Sequence, residues 1–220
     1  GFKGPLTVIP QLGVDIKHFH PARNEALRRR LDLRGFTIGY IGRMVSEKGL
    51  WILLDALVSL NSDWCCLVVG EGPIRKAWLK QAQERGLSQR VVWVPTVSHA
   101  DVAEYINAMD VLVLPSLTTQ RWKEQFGHVL IEAMACQVPV IGSNSGAIPE
   151  VIGDAGIVVP EGDSSALAQA IERLCWSRAE RIALGQKGRE RVLLHFTNEQ
   201  IAQRTWLFWR EILDAHSAAC

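Results

Sequence analysis

The sequence predicts a doubly wound α/β domain built on a parallel sheet. Three observations carry that expectation. Short apolar, β-branched runs alternate with helical patterns through most of the 220 residues. Helical stretches of about 10–15 residues separate the runs, the length that right-handed crossovers between parallel strands require. Polar stretches that contain glycine fall directly after strands, where such sheets bind their ligands.

Taken in order, LTVI (6–9) reads as a strand-like segment close to the start. Because the chain opens on Gly1 rather than methionine, it is expected to be a piece of something longer. FTIGYIG (36–42) reads as a strand. Leu50, Leu53, Leu54, Leu57 and Val58 then recur as one helical stripe. CCLVVG (65–70), RVVWV (90–94), VLVLP (111–115), VPVIG (138–142) and GIVVP (156–160) are the further strands. Helices are expected over 73–86, 99–108, 127–136 and 147–152, and three more over 163–176, 178–195 and 197–214. One domain over 1–196 is favoured, followed by a terminal helix in 197–220.

Composition removes several classes of function. The chain is 48% hydrophobic and 21% charged, enough to bury a sizeable core. A net charge of +1 supplies no global field for nucleic acid. The five cysteines, Cys65, Cys66, Cys136, Cys175 and Cys220, are odd in number and form no C-x-x-C. They are expected to be reduced thiols in a cytoplasmic protein. No apolar run reaches the ~18 residues a membrane helix needs, and no signal peptide is visible.

GRMVSEKG (42–49) is the first candidate site. Gly42 ends a strand, and Arg43 and Lys48 bracket the turn into a helix. A planar guanidinium and a mobile ammonium beside a helix N-terminus suit a diphosphate. A solvated basic pair at an ordinary turn is the competing reading, which these residues alone leave open.

EQFGHVLIE (124–132) is the second, with two acids eight residues apart. A helix starting near Gly127 leaves Glu124 outside the first turn and Glu132 inside. Eight residues at ~100° and ~1.5 Å each end ~80° past two full turns and ~12 Å along the axis. That is too far for a carboxylate pair sharing one small reacting centre. Two acceptors spread along an extended, hydroxyl-rich ligand fit better. Free N–H groups at Gly127, His128 and Val129 would hold an anion between them. The competing reading makes Glu124 a dipole-balancing residue and Glu132 a half-buried polar one. Inside LIEAMA an unpaired carboxylate is costly, so Glu132 is expected to have a partner.

Weaker signals surround these two. GEGP (70–73), with Gly72, allows either a backbone approach to a ligand or a simple turn. The six histidines show no H-x-x-H or H-E-x-x-H, and no D-x-D occurs, so no metal is expected. Trp93 is expected in the core. Trp122 either packs on a sugar ring or anchors its loop. The last helix carries a broad apolar face from Ile201 to Leu213.

In this order the pieces resemble the C-terminal domain of GT-B glycosyltransferases, close to glycosyltransferase family 4, the group 1 glycosyl transferases. The resemblance runs through VIPQLGVDIKHFHP (8–21), IGRMVSEKGL (41–50), VVGEGP (68–73), EQFGHVLIEAMA (124–135), PVIGSNSGAIPEVI (139–152) and GIVVPEGDSSALAQAI (156–171). It implies a Rossmann-like, nucleotide-sugar-binding half of an enzyme that transfers sugar with retention and needs no metal or cofactor. Arg43 and Lys48 would contact the diphosphate, and Glu124 the sugar hydroxyls. Amides around Phe126, Gly127 and His128 would hold sugar and phosphate oxygens, and Glu132 would accept from the ribose. Val97, in the turn after VVWVP, would lie near the base. The acceptor would belong to a missing N-terminal domain, onto which the final helix reaches back. Membrane contact, at the inner face, would come only through that domain. A sugar-nucleotide epimerase half and a non-enzymatic binding or assembly module are the alternatives. Two local departures stand out. PQLGVD (10–15) is one residue longer than the usual turn. Gln137 stands where the family commonly has glycine, in a position that often needs a left-handed backbone.

Overall fold

A computed structural model describes residues 4–217, and side chains as far as residue 214. Six parallel strands form one sheet: β1 (Phe36–Ile41), β2 (Trp64–Val69), β3 (Val91–Val94), β4 (Val111–Leu114), β5 (Val140–Ser143) and β6 (Ile157–Val159). Their order is β3-β2-β1-β4-β5-β6. The sheet grows outward in one direction from β1 and in the other from β4. The crevice between their carboxyl ends is therefore the switch point at which open α/β sheets place ligands.

The strand sequences explain the layering. Successive side chains point to opposite faces, and both faces of a parallel sheet are covered. In β2, Cys65, Leu67 and Val69 join one core and Trp64, Cys66 and Val68 the other. The second core takes in α2 (Leu50–Val58), α3 (Arg75–Glu84) and α7 (Ser164–Trp176). The first takes in α1 (Glu25–Arg30), α4 (His99–Ile106), α5 (His128–Ala135), α6 (Ile148–Ile152) and α8 (Arg178–His195). A last helix, α9, spans Asn198–Ser217. No helix among the described residues is long and apolar enough to cross a membrane.

Several expectations are corrected. LTVI is not a strand: it pairs with no strand, and Leu6 and Val8 are exposed. Trp93 is only half buried because β3 is the edge strand; its indole N–H donates to the Gly70 carbonyl at 2.9 Å. Val58 is exposed although its stripe partners are buried. Helix α1 was not among the expected elements. It is capped by Asn24, whose side chain accepts from the Leu27 amide. Its Arg28 is buried and donates to Thr37 Oγ1 at 2.6 Å and to the Ala108 carbonyl at 2.7 Å.

Other expectations hold. Cys65, Cys66, Cys136 and Cys175 are free thiols; Cys220 lies outside the described residues. Gln137 has φ +58°, just past the end of α5. The Val138 amide reaches back to the Ala133 carbonyl at 2.9 Å, closing the turn that a left-handed residue makes possible.

Candidate functional site

The turn after β1 begins the site. A 3-10 turn, Ser46–Lys48, ends in Gly49 at φ +71°. A Cβ on Gly49 would stand 1.7 Å from the Pro115 carbonyl oxygen, so only glycine lets this turn press against the end of β4. The Leu117 amide also donates to the Glu47 carbonyl at 2.8 Å. The loop after β4 is fixed a second time. Gly146, at φ +53°, lies where a Cβ would sit 1.9 Å from the Glu124 carbonyl oxygen, and that oxygen accepts from the Ala147 amide.

These crossings bring Lys48 and Glu124 together across the switch point. Lys48 Nζ donates to Glu124 Oε2 at 2.6 Å, and Ser116 Oγ donates to the same oxygen at 2.8 Å. Both charged side chains are largely buried. Glu124 Oε1 bonds no described residue and is not among the sealed polar atoms. Lys48 Nζ also lies 5.1 Å from the centre of the Trp122 ring. Trp122 thus packs on the site's own cation. Burial, with the nearby Glu124 charge, pushes the Tyr40 hydroxyl far above its ordinary range, and it donates to the Arg43 carbonyl at 2.8 Å. The Arg43 side chain is exposed and pairs with no described group.

Glu132 sits on α5 and is buried. His99 Nε2 lies 2.9 Å from its Oε1, and His128 Nδ1 3.5 Å from the same oxygen. The expected partner of Glu132 is therefore a pair of imidazoles. The Glu132 carboxylate beside His128 raises the histidine's pKa, with burial opposing. Gly127 caps α5 at φ +77°, one residue later than a helix starting there. The amides of Phe126, Gly127, His128 and Val129 donate to no described group. The Phe126 ring turns away from them, 5.6 Å from the Phe196 ring.

A cavity of about 240 Å³ lies beyond β1, β2 and β3, lined by Gly42, Arg43, Gly70, Glu71, Val97 and Val102. Gly42 and Val97 meet there. Gly72 does not line it: its missing Cβ admits the Met44 carbonyl oxygen, 2.2 Å from where that atom would stand. A larger opening, about 320 Å³, lies at the other end of the sheet. Its guanidinium groups are already committed, Arg23 to Asp110 and Arg181 to the carbonyls of Leu174 and Cys175. No group of three or more His, Cys, Asp or Glu among the described residues is placed to hold a metal ion.

Sequence reasoning missed the hydroxyl support. Ser143 Oγ donates to the Ser116 carbonyl, and Thr118 Oγ1 meets Ser145 Oγ at 3.0 Å and Glu161 Oε1 at 2.8 Å. It also missed His99. The signal available was position: Ser116, Thr118, Ser145, Glu161 and His99 follow strands, and Ser143 is the last residue of one.

Comparison with known proteins agrees with this architecture. Residues 35–176 match the family model described as glycosyl transferases group 1. The capsular polysaccharide biosynthesis glycosyltransferase CapM of Staphylococcus aureus is 34% identical over 80% of this chain and 44% of its own length. Sucrose-phosphate synthase from Thermosynechococcus elongatus superposes with a TM-score of 0.83 at 33% identity, over 97% of this chain and 54% of that one. A C-terminal domain of a group 1 family glycosyl transferase from Francisella tularensis superposes with a TM-score of 0.73 at 27% identity, over 82% of this chain and 97% of that one. The chain spans about half the length of the curated relatives it matches. With a matched model over most of the sheet and relatives of this identity, the chain belongs to the group 1 glycosyl transferases.

Proposed function

We propose that this chain is the donor-binding half of a retaining, metal-independent glycosyltransferase that moves a sugar from a nucleoside-diphosphate sugar to an acceptor hydroxyl. One observation carries the reading: Lys48 and Glu124 are clamped together at the switch point, beside an α5 N-terminus whose amides are unclaimed. The diphosphate lies between Arg43, Lys48 and the amides of Gly127, His128 and Val129. There it gains fixed positive charge and N–H donors without a cation. The base enters the cavity lined by Gly42, Gly70 and Val97. Glu132 accepts from the ribose, and Glu124 from the sugar.

In the reaction, the bond between the anomeric carbon and the diphosphate oxygen breaks and the oxygen leaves with the electron pair. Arg43 and Lys48 stabilise that developing charge in place, which is where such sites gain most of their rate. The acceptor hydroxyl attacks from the same face and passes its proton to the departing diphosphate oxygen, so configuration is retained. Glu124 holds the sugar by its hydroxyls while positive charge grows at the anomeric carbon. The acceptor belongs to a second domain, and the exposed Trp206, Leu207, Trp209 and Leu213 of α9 form the surface that domain covers. Titration calorimetry with a panel of nucleoside diphosphates tests the reading. Wild type should bind at least one, and Arg43→Ala and Lys48→Met should each weaken it at least about tenfold. Binding to none, or unchanged binding in both variants, refutes it.

A further inference from the structure

The two glutamates are placed alike. Each has one oxygen faced by two polar side chains and the other left without a described partner. At Glu124 these are Lys48 and Ser116, both donating to Oε2. At Glu132 His99 Nε2 lies 2.9 Å from Oε1, His128 Nδ1 stands 3.5 Å from the same oxygen, and Oε2 is not among the sealed polar atoms. An imidazole is a donor at both nitrogens only when protonated; neutral, it presents one donor and one lone pair.

We propose that His99 and His128 are positioning residues for Glu132: they fix Oε1 and leave Oε2 for a ligand hydroxyl. The inference rests on the reading of Glu132 as the ribose acceptor. The Glu132 carboxylate raises the pKa of His128, so the protonated ring is the form that holds Oε1 most firmly. When His128 loses that proton the ion pair is lost, and Glu132 loses part of its fixed aim. Few other ionisable groups face the cluster. His18, from the segment before α1, places its ring 6.4 Å from that of His99. Arg189 of α8 is committed to the Ala135 carbonyl at the far end of α5. His99 is 72% exposed, so replacing it costs the core only an edge contact with the buried Phe19 ring.

The test compares UDP and GDP with their 2′,3′-dideoxy counterparts on the wild-type chain between pH 6 and 8.5. The ratio of affinities cancels the titration of the phosphates. Wild type should favour the ribonucleotide about tenfold at pH 6, one hydrogen bond to a charged acceptor, and clearly less at pH 8.5. Paired replacement by His99→Ala and His128→Gln should give a small ratio that is flat with pH. A wild-type pH profile in that variant, with the ratio lost in Glu132→Gln, overturns the proposal and leaves the ribose reading standing. A ratio unchanged in Glu132→Gln removes the ribose reading and the proposal together. Failure of wild type to bind either diphosphate removes the donor-site reading on which both rest.

Discussion

Lys48→Met tests whether the clamp at the switch point is a built feature. The substitution keeps the length of the apolar stem and removes the ammonium. It leaves the Glu124 carboxylate, whose side chain is 9% exposed, with Ser116 as its remaining described donor. Removing one partner of a buried ion pair costs about 3–5 kcal/mol. The opening to solvent at Oε1 places this site at the lower end, so about 3 kcal/mol is expected. Replacing both charges, Lys48→Met with Glu124→Gln, removes the stranded carboxylate as well. That double variant should come back to within about 1 kcal/mol of wild type. Urea unfolding followed by tryptophan fluorescence supplies the four corners of the cycle. A coupling energy of at least about 2 kcal/mol is expected, well above what separate sites show. A coupling below about 0.5 kcal/mol would mean that the two side chains are solvated independently and that the observed contact carries no energy. The double variant should also fail to bind nucleoside diphosphates while remaining folded, which separates the site's contribution to stability from its use.

Three further outcomes follow from single positions. Gln137→Gly should stabilise the chain by about 1 kcal/mol, because the left-handed φ of +58° costs a residue with a Cβ what glycine does not incur; an unchanged or lower melting temperature counts against it. Gly146→Ala should destabilise by at least about 2 kcal/mol, through a left-handed backbone and a collision with the Glu124 carbonyl, and should displace Glu124 so that diphosphate binding weakens. The folded-state pKa of His128 is raised by Glu132, so its stabilising contribution is full below about 6.5, the ordinary value, and is lost as pH rises through the folded value. The stability gap between wild type and His128→Gln, measured by urea unfolding, should therefore be larger at pH 5.5 than at pH 8.5.

The strands were legible because each is a short run rich in apolar and β-branched residues, most of them buried, and that pattern needs no partner to be recognised. LTVI carries the same pattern, yet no strand lies beside it, and pairing is what periodicity cannot supply. Helix α1 hid for the opposite reason. Its EALRRR sequence has almost no apolar stripe, and it is held by Arg28 reaching Thr37 and the Ala108 carbonyl, contacts visible only after folding. In the site, residue types and their places after strands were readable. The pairings were not: Lys48 meets Glu124 across 76 positions, and His99 meets Glu132 across 33. The ~12 Å axial separation treated both glutamates as helical, whereas α5 begins only at His128, and spacing could not show that each acid already had its own partners.

The way the loops are joined decides where the cost of binding falls. Gly49 lets the turn after β1 rest on the Pro115 carbonyl, and Gly146 lets the segment after β5 rest on the Glu124 carbonyl. The backbone around Lys48 and Glu124 is thus fastened to itself by crossings too close for any side chain. On the proposed reading, an incoming diphosphate does not have to order these loops, a term that otherwise subtracts from affinity. What it must order is side chains, and they differ. Arg43 is exposed and unpaired, so it gives up rotamer freedom when it binds. Lys48 is already held by Glu124 and stacked beside Trp122, so it gives up a partner instead. A ligand phosphate that draws Lys48 away leaves Glu124 Oε2 with Ser116 alone, and a sugar hydroxyl is the donor that can replace it. The clamp therefore favours a ligand that brings an anion and a hydroxyl together. A free diphosphate supplies only the first, so a nucleotide sugar should bind more tightly than its diphosphate, and Glu124→Gln should narrow that difference.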